Sequence, residues 1–122
     1  MKLYTTYFAK LKKLPDNIVP VAICGKTIDS WTGFKYTALA PKKWWWIKWK
    51  NEENEDLEYY KKMYKETVLD TLNPDIVVSD LSYISEGKDV ALVCYERPEN
   101  FCHRHLVADW LRSNGFDIEE YE

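Results

Sequence analysis

A chain of 122 residues, 46% of them apolar, can bury one hydrophobic core and is too short for two ordinary domains, so residues 1–122 are read as a single domain. A net charge of -3 excludes the broad basic footprint that duplex DNA requires, while leaving room for a local basic patch. No run approaches the roughly 18 apolar residues of a membrane span, which excludes a helical membrane protein.

The opening L-Y-T-T-Y-F-A-K-L-K-K-L lacks both the apolar region and the small-residue cleavage site of a secretory signal, so a cytoplasmic chain is expected. Three cysteines at uneven spacing make a poor disulfide framework, and reduced thiols are the expectation.

In chain order, Lys2 to Phe8 is aromatic and β-prone and predicts a first strand. Ile18 to Cys24 is a nearly continuous apolar run ending at Gly25, as a strand covered on both faces would be. Pro20 inside it lacks a ladder donor and points to an edge or to the strand's opening residues. Pro41 can open a helix through Lys50. From Glu53 to Leu72 the apolar residues Leu57, Tyr60, Tyr64, Val68 and Leu72 recur at helical spacing. Asn73 and Pro74 form a cap and first turn for a further helix that Gly87 ends, with a strand over Ile76 to Val78 as the rival reading. Val90 to Tyr95 is a second covered strand. Asn100 is placed to cap a helix from Phe101 to Ser113, Gly115 to form its terminal turn, and Phe116 to Glu119 to add a short last strand ahead of a solvated acidic tail. Covered strands alternating with helices imply an α/β fold, a three-layer Rossmann-like domain with a mainly parallel sheet between helices.

In such sheets a ligand crevice lies beyond the carboxyl ends of the strands, here Tyr7 and Phe8, Cys24 to Lys26, and Cys94 to Glu96. The last of these runs into V-C-Y-E-R-P-E-N-F-C-H-R-H, the densest concentration of reactive side chains in the chain. At about 100° per residue, Leu106, Val107, Trp110 and Leu111 form the buried stripe of the last helix. His103 lies in line with that stripe, Cys102 and Arg104 sit on its margins, and His105, Asp109 and Arg112 face away. Backbone N–H groups at the start of a helix favour anions, so a Cys102 thiolate is stabilised there and His103 is kept neutral.

Three chemistries fit these residues. Cys102 can act as nucleophile with His103 or Glu96 as base, while Arg104, Cys94, Tyr7 and Lys26 line a pocket for a small anionic or nucleotide-like substrate. Alternatively Cys94, Cys102 and His103, with Glu96, can ligate zinc or iron, although C-x7-C-H matches no common zinc module. The cluster can also bind an anion without catalysis. The structural alternative makes Cys94 core filler, His103 a cap and Arg104 the partner of Glu96. No cofactor is specified by the motif.

The run C-Y-E-R-P-E-N-F-C-H-R-H-L resembles the DUF488 family, whose hallmark is a strand-borne cysteine and glutamate followed by a Cys-His-Arg helix start. Y-T-T-Y-F near the start and L-A-P in the middle also resemble a short branch of that family. The resemblance implies a compact three-layer α/β fold and a pocket at Cys94, Glu96, Cys102, His103 and Arg104, and it implies no reaction. Where many relatives carry Asp-x-Arg after the second strand, this chain reads C-G-K-T-I-D.

Lys42 to Lys50 mixes four tryptophans with lysines. Trp45, Trp46 and Trp49 share one helical face. A stacking platform for a nucleotide or single-stranded nucleic acid is one reading, a partner-binding patch another, and a core helix whose lysine stems cover indole surface the third.

Overall fold

A computed structural model of the chain describes residues 1–43, 45, 57–95 and 102–121. The expected parallel α/β domain is found. Five strands, β1 (Leu3–Tyr7), β2 (Ile18–Ala22), β3 (Phe34–Lys35), β4 (Asp89–Cys94) and β5 (Ile118–Glu120), form one sheet in the order β3-β2-β4-β1-β5. Every pairing is parallel, including the β2–β4 pair expected from the two covered runs. Among the described residues three helices are bounded: α1 (Leu57–Thr67), α2 (Pro74–Ile84) and α3 (His103–Ser113). Among the described residues no helix is long and apolar enough to cross a membrane.

Side-chain alternation divides the sheet into two faces. Leu3, Val21, Val90, Leu92 and Cys94 pack with Tyr60 and Tyr64 of α1, Val77 and Leu81 of α2, and Val107 and Leu111 of α3. On the other face Ala22, Cys24 and Val93 meet Phe8 and Leu11 of a 3-10 helix, Phe8–Lys13, together with Ile28 and Trp31. This division follows from connection handedness. The link from β1 to β2 runs along the sheet in one direction and those from β3 to β4 and β4 to β5 in the other, so right-handed crossovers fall on opposite faces. The chain therefore leaves β1 and β4, which are adjacent, toward opposite faces. That is a topological switch point, and it falls where Tyr7 and Cys94 lie in register.

Local chemistry explains most boundaries. Pro20 is tolerated in an interior strand because β3 pairs only with Val21 and Ala22. The Ile23 amide donates toward β4 and the Ala22 carbonyl accepts on the β3 side, so by alternation the Pro20 nitrogen faces a stretch with no ladder to serve. The rival strand over Ile76 to Val78 is not formed. Asn73 Oδ1 accepts from the Asp75 amide at 2.9 Å and Pro74 takes the first helical position, which commits the segment to α2. At the end of α3, Gly115 adopts φ +89° and lets the Phe116 amide donate to the Leu111 carbonyl at 3.0 Å, closing the turn expected there.

Some boundaries differ from expectation. The helix expected over 53–72 is described from Leu57 and stops at Thr67, and a 3-10 turn, Leu69–Thr71, follows it. Thr67 explains the stop, because its hydroxyl donates back to the Met63 carbonyl at 2.6 Å and accepts from Trp45 Nε1 at 2.9 Å. The segment between β2 and the Tyr36 turn contributes the two-residue β3. The Tyr36 hydroxyl donates to Asp80 Oδ2 at 2.6 Å. The last helix is described from His103, with Cys102 in the capping position, while Asn100 and Phe101 lie outside the described residues.

Trp45 is buried and meets Tyr60 edge-on with ring centroids 5.1 Å apart. For this residue the core reading of the tryptophan run holds. Trp44, Trp46 and Trp49 lie outside the described residues.

Candidate functional site

Cys94 ends β4, and Cys102 begins α3 on the face to which that strand turns. A disulfide joins them. Three reduced thiols were expected; instead only Cys24 is free, buried on the opposite face of the sheet. A spacing of eight residues carries no signal for this pairing, which arises because the start of α3 lies against the carboxyl end of β4. Both sulfurs belong to buried residues.

Each cysteine has its own polar neighbour. The Arg104 guanidinium, fully buried, donates from Nη1 to Cys94 Sγ at 3.2 Å. A cation at that distance lowers the cost of a thiolate. Beside Cys102, the His103 ring places Nδ1 3.9 Å from Sγ. Its Nε2 lies 2.8 Å from the Ile23 carbonyl. A carbonyl only accepts, so Nε2 carries the proton and Nδ1 presents its lone pair to the sulfur. Burial holds His103 neutral, pulling its pKa down to about 4; the Ile23 bond opposes that fall and the Arg104 and His105 charges add to it. Tyr64 forms part of the floor, its ring centroid 5.6 Å from that of His103.

Arg104 is itself held. Its Nε donates to Glu120 Oε1 at 3.1 Å and its Nη2 to Oε2 at 2.9 Å, a two-point pair. Thr5 Oγ1 donates to the same Oε1 at 2.6 Å, and the Tyr7 ring lies 5.7 Å from the guanidinium carbon. The edge of Arg104 that the sequence suggested for gripping an external anion is thus engaged by Glu120. Glu96, the other expected partner, lies outside the described residues.

Of the residues singled out in the sequence, the structure brings Cys94, Cys102, His103, Arg104 and Tyr7 together. It does not do so for Lys26. The Lys26 carbonyl accepts from the Tyr95 hydroxyl at 2.6 Å beyond the ends of β2 and β4, and no contact among the described residues joins its ammonium to the sulfurs. Two residues were missed, Thr5 and Glu120. The signal for Glu120 was the alternation of Ile118, Glu119 and Glu120, which puts Glu120 on the buried face with Ile118; the E-E-Y-E ending had suggested a solvated tail. Arg112 is exposed, as expected, and its Nε also donates to the Ile118 carbonyl at 3.0 Å because β5 flanks α3 on that side.

The sulfurs of Cys94 and Cys102 and a ring nitrogen of His103 lie within 4.8 Å of one another, close enough to meet one ion. The Arg104 guanidinium beside Cys94 opposes a second cation at that point, and the arrangement is electrostatically suited to thiolates. A cleft of about 580 Å³ lined by Lys2, Leu3, Val78, Asp89, Phe116 and Asp117 opens at the amino ends of the strands, at the opposite end of the sheet from this cluster.

Fold and site together define a parallel α/β domain with a cysteine pair at its switch point and a histidine and an arginine at the start of the following helix. The chain belongs to the DUF488-N3a family, described as the active DUF488-N3 subclade, whose model matches residues 11–115. No curated protein and no solved structure matches it.

Proposed function

We propose that the protein is a cysteine-dependent enzyme that works by thiol–disulfide exchange at Cys94 and Cys102 on a small anionic disulfide substrate. The observation that carries this reading is the distinct partner of each sulfur, Arg104 at Cys94 and neutral His103 at Cys102. In the reduced protein Cys102, the more exposed of the two at 7%, is the attacking group. His103 Nδ1 takes its proton. The thiolate attacks one sulfur of a substrate disulfide, the substrate S–S bond breaks, and the departing thiolate recovers the proton from His103. Cys94, kept as thiolate by Arg104, then attacks Cys102 Sγ, expels the second half of the substrate and closes the Cys94–Cys102 disulfide. An external dithiol restores the reduced pair. The amino end of α3 and the exposed Lys26 at the rim would attract an anionic group.

The rival readings have less support. Zinc or iron would have to share the site with the Arg104 guanidinium, and the one described tryptophan of the Trp/Lys run is buried in the core, which weakens the case for a nucleic-acid platform or interaction module.

A small aromatic disulfide probe tests the proposal. Reduced parent protein should release both halves of the probe and close its own disulfide. Cys94→Ser should release one half and retain the other on Cys102, and Cys102→Ser should react at least tenfold more slowly than the parent. Equal reaction of both variants and the parent would contradict the proposal.

A further inference from the structure

Glu120 and Cys94 meet the same guanidinium from two sides. Arg104 gives its Nε and Nη2 to the Glu120 carboxylate and its Nη1 to Cys94 Sγ. One buried cation therefore serves two groups that can each carry a negative charge. We infer that Glu120, anchored by Thr5, is a positioning residue of the thiol site that competes with Cys94 for the charge of Arg104 and so sets how readily Cys94 becomes a thiolate. The inference rests on the thiol reading above and assigns a role to a strand that the family match, ending at residue 115, does not reach.

The geometry supports competition more than simple support. Arg104 is fully buried, rooted in α3 and covered by the Tyr7 ring, so it has little freedom to turn toward solvent if Glu120 is neutralised. A buried cation that loses one carboxylate partner holds a neighbouring anion more strongly, here the Cys94 thiolate beside Nη1. Among the described residues, the other titratable or charged groups packed around this pair are Cys102, His103 and His105 from α3 and Tyr7 from β1. His103 and His105 are both held toward the neutral form, burial being the larger cause in each. Neither supplies a charge that could substitute for Glu120 near neutral pH. Thr5 matters because its hydroxyl fixes one carboxylate oxygen, and with it the direction from which the fork is engaged.

The test is a titration of thiolate absorbance on reduced protein, with Cys94 assigned by difference from Cys94→Ser. Glu120→Gln keeps the shape of the side chain and removes its charge. It should lower the Cys94 midpoint by about one pH unit, roughly tenfold more thiolate at a pH below both midpoints. Glu119→Gln, a neighbouring residue that is exposed and paired with Lys2, changes the charge equally and should leave the midpoint in place. A Glu120→Gln midpoint that is unchanged or raised overturns the inference, even if the variant melts earlier. Failure of the underlying thiol reading looks different. In that case the parent's Cys94 would itself titrate at or above the ordinary thiol value of about 8.5. Should Glu120→Gln fail to fold, Thr5→Val provides the second route. Loosening the carboxylate should lower the same midpoint by a smaller amount, and a rise would equally overturn the inference.

Discussion

Arg104→Met is expected to cost the fold about 3 to 5 kcal/mol, because it removes one partner of a desolvated ion pair and strands the other. Arg104 is 0% exposed and the Glu120 side chain only 19%, so the carboxylate left behind cannot recover its hydration without opening β5. Cys94 Sγ would lose the Nη1 contact at the same time, and the Glu120 oxygen that Thr5 holds would lose Nε. Arg104→Lys should fall between parent and Met, since an ammonium retains the charge but cannot serve both carboxylate oxygens and Cys94 in one plane. Replacing both partners, Arg104→Met with Glu120→Leu, should recover part of the loss, as neither member of this ion pair is then left charged. Urea unfolding of the three variants measures these differences. A cost below about 1 kcal/mol for Arg104→Met would place the pair among solvated surface bridges, which this structure does not describe.

Acid should destabilise the protein through His103. Its pKa is depressed to about 4 in the folded chain, from an ordinary value of 6.5. Between those values the unfolded chain binds the extra proton, so stability rises with pH across that window. The contribution is fully present above about pH 6.5 and is lost as the pH falls toward about 4, up to about 3 kcal/mol in all. His105 is shifted in the same direction and adds a part of its own. His103→Gln removes the larger share. The difference in unfolding free energy between parent and variant should therefore shrink as the pH falls through the window. Parallel curves would mean that the ring is not held neutral against the Ile23 carbonyl. The same neutral ring leaves the Nδ1 lone pair free to accept a hydrogen bond from the Cys102 thiol.

Much of the fold was legible because its determinants are local. Ile18 to Cys24 and Val90 to Tyr95 are continuous apolar runs, and only a sheet covered on both faces accommodates them. Asn73 and Pro74 specify a helix start by chemistry that needs no distant partner. The site was legible in composition but less so in geometry. Cys94, Cys102, His103 and Arg104 were visible as a cluster because β4 and α3 are consecutive. Glu120 was not, since its contact with Arg104 depends on β5 pairing with β1, a register linking Thr5 and Glu120 across the length of the chain. Arg104 was placed on the margin of its helix because a helical wheel has no knowledge of a second flank. Once β5 packs beside α3, that margin becomes interior. The disulfide was missed for a related reason, as the uneven spacing of the cysteines does not reveal which strand end faces which helix start.

Cys94 and Cys102 form a pair set apart from Cys24. Peptide mapping after alkylation of unreduced, air-exposed protein tests it most directly. The expected result is a single linked peptide joining Cys94 to Cys102, with Cys24 alkylated only after unfolding; three alkylated cysteines, or a link that includes Cys24, would contradict the account.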